Sequence, residues 1–129
     1  MGQTRATNVV LYALDVDALA TFYQSVCGLQ QTRVSDSILT IHNVEWEISL
    51  VTIPGFIAAD IVIEIPPQRR EDTPIKLVFS VDSIQRARGA AAGLGGVVDP
   101  EDREWSHDGY RYVDGHDPEG NVFSLAVPN

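Results

Sequence analysis

A strand, a helix and a glycine stop occur in this chain twice, in register. Asn8-Val9-Val10-Leu11-Tyr12 leads through Asp15 into an amphipathic stretch that stops at Gly28. Sixty-eight residues on (8 to 76, 28 to 96), Lys76-Leu77-Val78-Phe79-Ser80 leads through Ser83 into a second stretch that stops at Gly96. An internal repeat restricts the architecture before any single residue does. In the first copy, Leu19, Phe22, Tyr23 and Val26 recur at helical spacing and form a core-facing stripe. Asp15 or Asp17 can cap that helix. Ile84, Ala87, Ala91 and Leu94 give the second helix a weaker buried face.

After each helix come short strands. Residues 30–35, 38–43 and 45–53 follow the first; 97–98, 110–114 and 121–127 follow the second. Residues 99–109, with Trp105, His107 and Asp108, read as a polar loop. Asp117-Pro118-Glu119-Gly120-Asn121 is a turn before the final strand, since proline fixes φ and glycine supplies a positive one. The 129 residues make one domain: module 1 over about 7–53, a connector over 54–74 and module 2 over about 75–128. In the connector, Ile61, Ile63 and Ile65 alternate with Val62 and Glu64, which predicts an extra strand. The fold class is α+β, with two tandem βαβββ modules forming a curved, cup-like mixed sheet. One helix per module covers one face and leaves the other open.

A net charge of −9 argues against nucleic acid and against an anionic membrane surface as partner. Met1-Gly2-Gln3-Thr4-Arg5 does not read as a signal peptide, and no apolar run reaches spanning length, so a cytoplasmic location is expected. Cys27 is the sole cysteine and is expected to be buried and structural.

Strand alternation sorts the open face from the helix-covered one. The open set holds Asn8, Tyr12, Glu47, Ser49, Lys76, Ser80 and Ser124. Gly115 leaves the parity of 110–114 open, so either Arg111 or Tyr110 and Tyr112 face inward. Trp105 covers the mouth or packs on its rim. His42, His107 and His116 show no metal-ligand spacing; His116, beside Asp114 and Asp117, is the best placed of them. Arg69-Arg70 is the one basic patch; it either holds an anionic ligand or, as expected, is neutralised at the surface by Glu71 and Asp72 beside it.

The doubled βαβββ order resembles the vicinal oxygen chelate superfamily, which includes glyoxalase I, extradiol dioxygenases, and fosfomycin- and bleomycin-resistance proteins. So do Leu14-Asp15-Val16-Asp17 before Phe22-Tyr23 and Cys27-Gly28-Leu29, and the Asp117–Asn121 turn. The resemblance spans residues 7 to 127 and implies a small-molecule ligand and a homodimer. It also implies a divalent ion held by inward residues of the first, fourth, fifth and eighth strands. Those positions here are Asn8, Glu47, Lys76 and Ser124, of which only Glu47 is an ordinary ligand. An ammonium has no lone pair to give. The expectation is therefore no metal cofactor, with Lys76 in the ion's place paired to Glu47, and Asn8 and Ser124 bonded around them. Asn8, Tyr12, Ser49, Ser80, Trp105, Arg111 and Ser124 are the expected ligand-binding residues. The resemblance supports two functions. One is a binding protein of the bleomycin-resistance kind. The other is a lyase- or dioxygenase-type enzyme in which Glu47 is base or metal ligand and Lys76 stabilises an enolate.

Overall fold

A computed structural model describes residues 7–129, so the reading of Met1 to Arg5 lies outside the described residues. Module 1 consists of β1 (Thr7–Ala13), α1 (Val16–Cys27), β2 (Gln30–Ser35), β3 (Ile38–His42) and β4 (Trp46–Thr52). A one-turn helix α2 (Gly55–Ala58) opens the connector. Module 2 consists of β5 (Leu77–Ser80), α3 (Ile84–Ala92), β6 (Val97–Val98), a 3-10 turn at Glu101–Arg103, β7 (Trp105–His107), β8 (Tyr110–His116) and β9 (Val122–Pro128). Two mixed sheets result, ordered β1-β4-β3-β2 and β5-β9-β8-β6, with β7 added onto β8. In each, the module's first strand runs parallel to its last.

The helices start where side chains satisfy their first amide groups. Asp15 accepts from the amide of Ala18 and Ser83 from that of Arg86. Asp17 does not cap; it pairs with Arg33 on the surface. Leu19, Phe22, Tyr23 and Val26 are all buried, as the stripe predicts. Phe22 and Tyr23 pack edge-on to Phe123 of β9, and Trp46 of β4 stacks on Phe79 of β5 at 5.3 Å. One apolar core therefore lies between the helices and both sheets.

The closing turn bolts the modules together. Asp117, wholly buried, accepts from the Tyr23 hydroxyl at 2.7 Å, from the Asn121 side-chain amide, and from the backbone amides of Glu119 and Asn121. Burial raises the Asp117 pKa against the pull of those donors, and burial beside Asp117 raises that of Tyr23, which stays a neutral donor. Glu119 reaches back to accept from the amides of Leu14 and Asp15, at 3.0 and 2.9 Å, just ahead of α1. Gly120 (φ 86°) lies under the connector, where a Cβ would stand 2.1 Å from the Gln68 carbonyl oxygen.

Two local expectations need correcting. Residues 61–65 are not a strand: Ile61 and Ile63 are half-buried while Val62 and Glu64 are exposed, but Ile65 is exposed too, so the alternation breaks and no ladder forms. Pro66 and Pro67, which have no amide hydrogen, follow directly. Residues 99–109 are not one polar loop. Asp108 (φ 51°) and Gly109 (φ 85°) make a two-residue turn that folds β7 back on β8, with His107 opposite Tyr110.

Candidate functional site

Each sheet turns one face to the helices; of the other, Asn8, Val10 and Tyr12 of the first sheet are exposed, while Ser124 and Ala126 of the second are buried. On the first sheet, β1 presents Asn8, Val10 and Tyr12, and β4 presents Glu47, Ser49 and Val51. Parallel pairing sets Asn8 level with Glu47 and Val10 with Ser49. β3 adds Ile38, Thr40 and His42, with Thr40 opposite Ser49 and His42 opposite Glu47. The Ser49 hydroxyl is 3.5 Å from the Asn8 side-chain carbonyl, and Thr32 bonds His42 Nε2 at 2.9 Å. Seven residues, Glu47 among them, line an open cleft of about 490 Å³ over this face.

On the second sheet the parity left open by Gly115 is resolved. Tyr112 lies opposite Ala126 and Asp114 opposite Ser124, so Tyr110, Tyr112 and Asp114 share the open face. Arg111 is on the other side, and its Nε is 2.9 Å from Glu104, which also holds Arg88 at 2.6 Å. Its place among the ligand-binding residues is therefore corrected. The strand period puts it beside Val113 and Val127, away from the open face.

Lys76 lies one residue ahead of β5. Its Nζ is 3.0 Å from Asp114 and 5.6 Å from the centre of the Trp105 indole. Ser124 donates to the same Asp114 oxygen at 2.5 Å. The expected Lys76–Glu47 pair is thus replaced by Lys76–Asp114. The physical reason is proximity within one sheet. Asp114 stands on the strand next to Ser124, while Glu47 belongs to the other sheet. Trp105 is on the rim, stacked on Tyr112 with centroids 5.6 Å apart and planes 16° apart.

The register also sets the correspondence between the copies. Leu77 pairs with Phe123, so Lys76 falls level with Val122, as Asn8 does with Glu47. Val122 is therefore the counterpart of Glu47, and Ser124 that of Ser49. By the same count His42 answers to His116 and Thr40 to Asp114.

His116 bonds neither Asp114 nor Asp117. Its Nδ1 accepts from Arg69 Nε at 2.9 Å, and Arg69 grips Asp99 with both terminal nitrogens at 2.9 and 2.6 Å. Burial first, and the Arg69 charge second, lower the His116 pKa. Bonding to Asp99 raises that of Arg69. Arg69 is accordingly no surface residue neutralised by Glu71 and Asp72; it ties the connector over the end of the second sheet. A cleft of about 320 Å³ remains between the connector and the sheet, lined among others by Arg69, Arg70, Glu71, Lys76 and Asp114.

Of the expected residues, Lys76, Trp105 and Ser124 come together in one cluster, and Asn8, Glu47 and Ser49 in another. Tyr12 is exposed at the far end of β1, and Ser80 lines a different cleft beside the end of α1. Sequence reasoning missed Asp114 as the partner of Ser124. Counting outward from the closing turn, with His116 against Val122, would have paired them. Cys27 is buried, and desolvation pushes its thiol pKa far up, as suits a structural residue.

The four positions that the resemblance assigns to a divalent ion do not suit one. The Lys76 ammonium takes the place of a donor and is paired to Asp114, Ser124 spends its proton on the same carboxylate, and Asn8 offers only a neutral amide oxygen. Among the described residues, no group of three or more His, Cys, Asp or Glu side chains is arranged to hold a metal ion. Nor, among them, is any helix long and apolar enough to cross a membrane.

Paired βαβββ modules, each with one sheet face turned to the helices, define a protein of the vicinal oxygen chelate superfamily. The chain belongs to the family of glyoxalase-like domains, whose profile matches residues 8–126. Its fold is similar to that of a glyoxalase/bleomycin resistance protein/dioxygenase family enzyme from Burkholderia phytofirmans. That protein is 18% identical with a TM-score of 0.71, and the match covers 98% of this chain and 100% of the other. It is also similar to a glyoxalase/bleomycin resistance protein from Albidiferax ferrireducens, with 16% identity, TM-score 0.66, and 95% and 98% coverage. The fosfomycin resistance protein FosX from Mesorhizobium loti matches with 11% identity, TM-score 0.63, and 100% and 95% coverage. At these identities the likeness establishes the fold alone. No curated protein sequence matches significantly.

Proposed function

We propose that this glyoxalase-like protein binds a small organic molecule on its open sheet faces and does so without a resident divalent ion. The position of Lys76 carries this reading. A cation paired to Asp114, at a position the superfamily gives to a metal ligand, repels a second cation and offers no lone pair. What remains there suits recognition: hydroxyl and carboxylate groups held in register, exposed aromatic rings, and open clefts of about 320 and 490 Å³.

A thermal-shift screen of the purified protein against aromatic and glycopeptide-like compounds, with and without a chelator, tests the proposal. A ligand bound only by the native state raises Tm. The expected result is a rise that the chelator leaves unchanged. A rise that requires added zinc, nickel, manganese or iron would contradict it, as would no rise with any compound.

A further inference from the structure

We propose that the open face of the second sheet takes a flat aromatic monoanion. Its ring lies along Tyr110, Tyr112 and Trp105, and its carboxylate turns toward Lys76 and Arg70. The inference rests on the binding reading above and narrows it to a ligand class.

The ring platform follows from strand geometry. Tyr110, Tyr112 and Asp114 sit at two-residue spacing on one face of β8, about 7 Å per step. The Asp108-Gly109 turn then brings Trp105 level with Tyr112. The Tyr110 and Tyr112 centroids are 6.4 Å apart. These rings are no extension of the core, which lies on the other face with Val113, Leu125 and Val127. Trp105 carries Tyr112 stacked on its ring and Lys76 over it, yet it and Tyr110 remain 42% and 45% exposed, so part of each ring is open to an incoming ligand.

The platform ends in charge. Lys76 sits over Trp105, and beyond it the 320 Å³ cleft gathers three of the chain's nine lysines and arginines, although the net charge is −9. Arg69 is engaged by Asp99 and His116, and Lys76 by Asp114. Arg70 makes no ion pair among the described residues, so its charge is available to an incoming anion. A carboxylate accepts from a guanidinium in a planar fork. The Asp114 and Glu71 carboxylates at the same cleft disfavour a second negative charge, which selects a monoanion. A cationic ligand would have to displace Lys76 from the Trp105 face.

The two tryptophans supply the test. Trp46 stacks on Phe79 at the junction of the sheets, and Trp105 lies on the platform, so their indole N–H signals report on different places. The 15N-labelled protein is titrated with 2-naphthoate, neutral 2-naphthamide and 2-naphthylmethylammonium, with Trp46→Phe assigning the signals. Naphthoate is expected to move the Trp105 signal saturably and leave that of Trp46 in place. Naphthamide is expected to bind about tenfold more weakly, and Arg70→Gln or Lys76→Met to remove the difference. Equal or tighter binding of the amide or the ammonium ion at Trp105 overturns the ligand class and leaves the binding reading standing. So does naphthoate binding that moves only signals of the first sheet. If none of the three perturbs any signal, the ligand class is overturned, while the binding reading is judged separately by the broader thermal-shift screen.

Discussion

Gly28 and Gly96 match in the repeat at an offset of 68 but do different work, since Gly28 caps α1 whereas α3 already ends at Ala92 with Gly93 as its cap and Gly96 leads into β6. Gly28 ends α1 in the left-handed region (φ 72°), and a Cβ there would meet nothing within 4 Å. At Gly96 a Cβ would lie 2.3 Å from the Phe22 ring and 2.6 Å from the His116 carbonyl oxygen, because module 1 packs its helix there. The open faces differ in the same sense. His42 bonds Thr32 on an uncovered cleft, whereas its counterpart His116 is buried under Arg69 of the connector. Thr40 faces Ser49 where Asp114 faces Ser124 and holds Lys76. A repeat fixes backbone paths. Side-chain chemistry is free to diverge wherever only one copy meets the connector or the other module.

The largest expected effect is at the glycines. Gly96→Ala forces apart a ring and a backbone carbonyl and should destabilise by about 3 kcal/mol. Gly28→Ala meets open space and should lose about 1 kcal/mol, through its positive φ alone. Urea midpoints of the two variants measure this, and equal losses would erase the distinction between the modules. Next come the ion pairs. Arg69→Met breaks a bidentate, part-buried pair and should lose about 2 kcal/mol. Arg33→Met breaks an exposed pair and should lose less than about 1 kcal/mol.

The third effect is a pH slope. The folded pKa of His116 is below the ordinary value of 6.5, so the unfolded chain binds more protons in the window just below that value. Stability is therefore fully present above 6.5 and falls as the pH drops through the lowered folded pKa. Arg69, Asp99 and Asp117 are the charged groups facing this ring. His116→Gln keeps an acceptor for Arg69 without the titration, and Tm measured across this range should slope less for it than for the native chain. Smallest is the stability change of Lys76→Met. The pair is 42% and 30% exposed, so a loss of less than about 1 kcal/mol is expected from the denaturation midpoint.

The paired βαβββ plan, the core stripe of α1 and the closing turn were legible in the sequence because each depends on local periodicity or turn chemistry. Strand alternation put Asn8, Glu47 and Ser49 on one face of the first sheet, as the pairing has them, while Ser124, assigned to the open set, is buried beside Asp114. It failed where register decides. Lys76 and Glu47 share a face type yet stand on different sheets, and no periodicity within a strand shows which carboxylate a lysine meets. Arg111 was undecided because Gly115 obscured the count, although Asp108-Gly109, a strong hairpin signal, would have set it. The role of Arg69 was illegible for another reason: a connector's path depends on tertiary packing, here the fit of Gly120 beneath Gln68.

On the proposed reading, Lys76 of the second module puts a cation where the superfamily places a metal ligand. Elemental analysis of the protein, purified without chelators and then dialysed against zinc, nickel, manganese and iron in turn, tests it most directly. Substoichiometric metal is expected throughout, with no change in Glu47→Gln. One divalent ion retained per chain, and lost in Glu47→Gln, would contradict it.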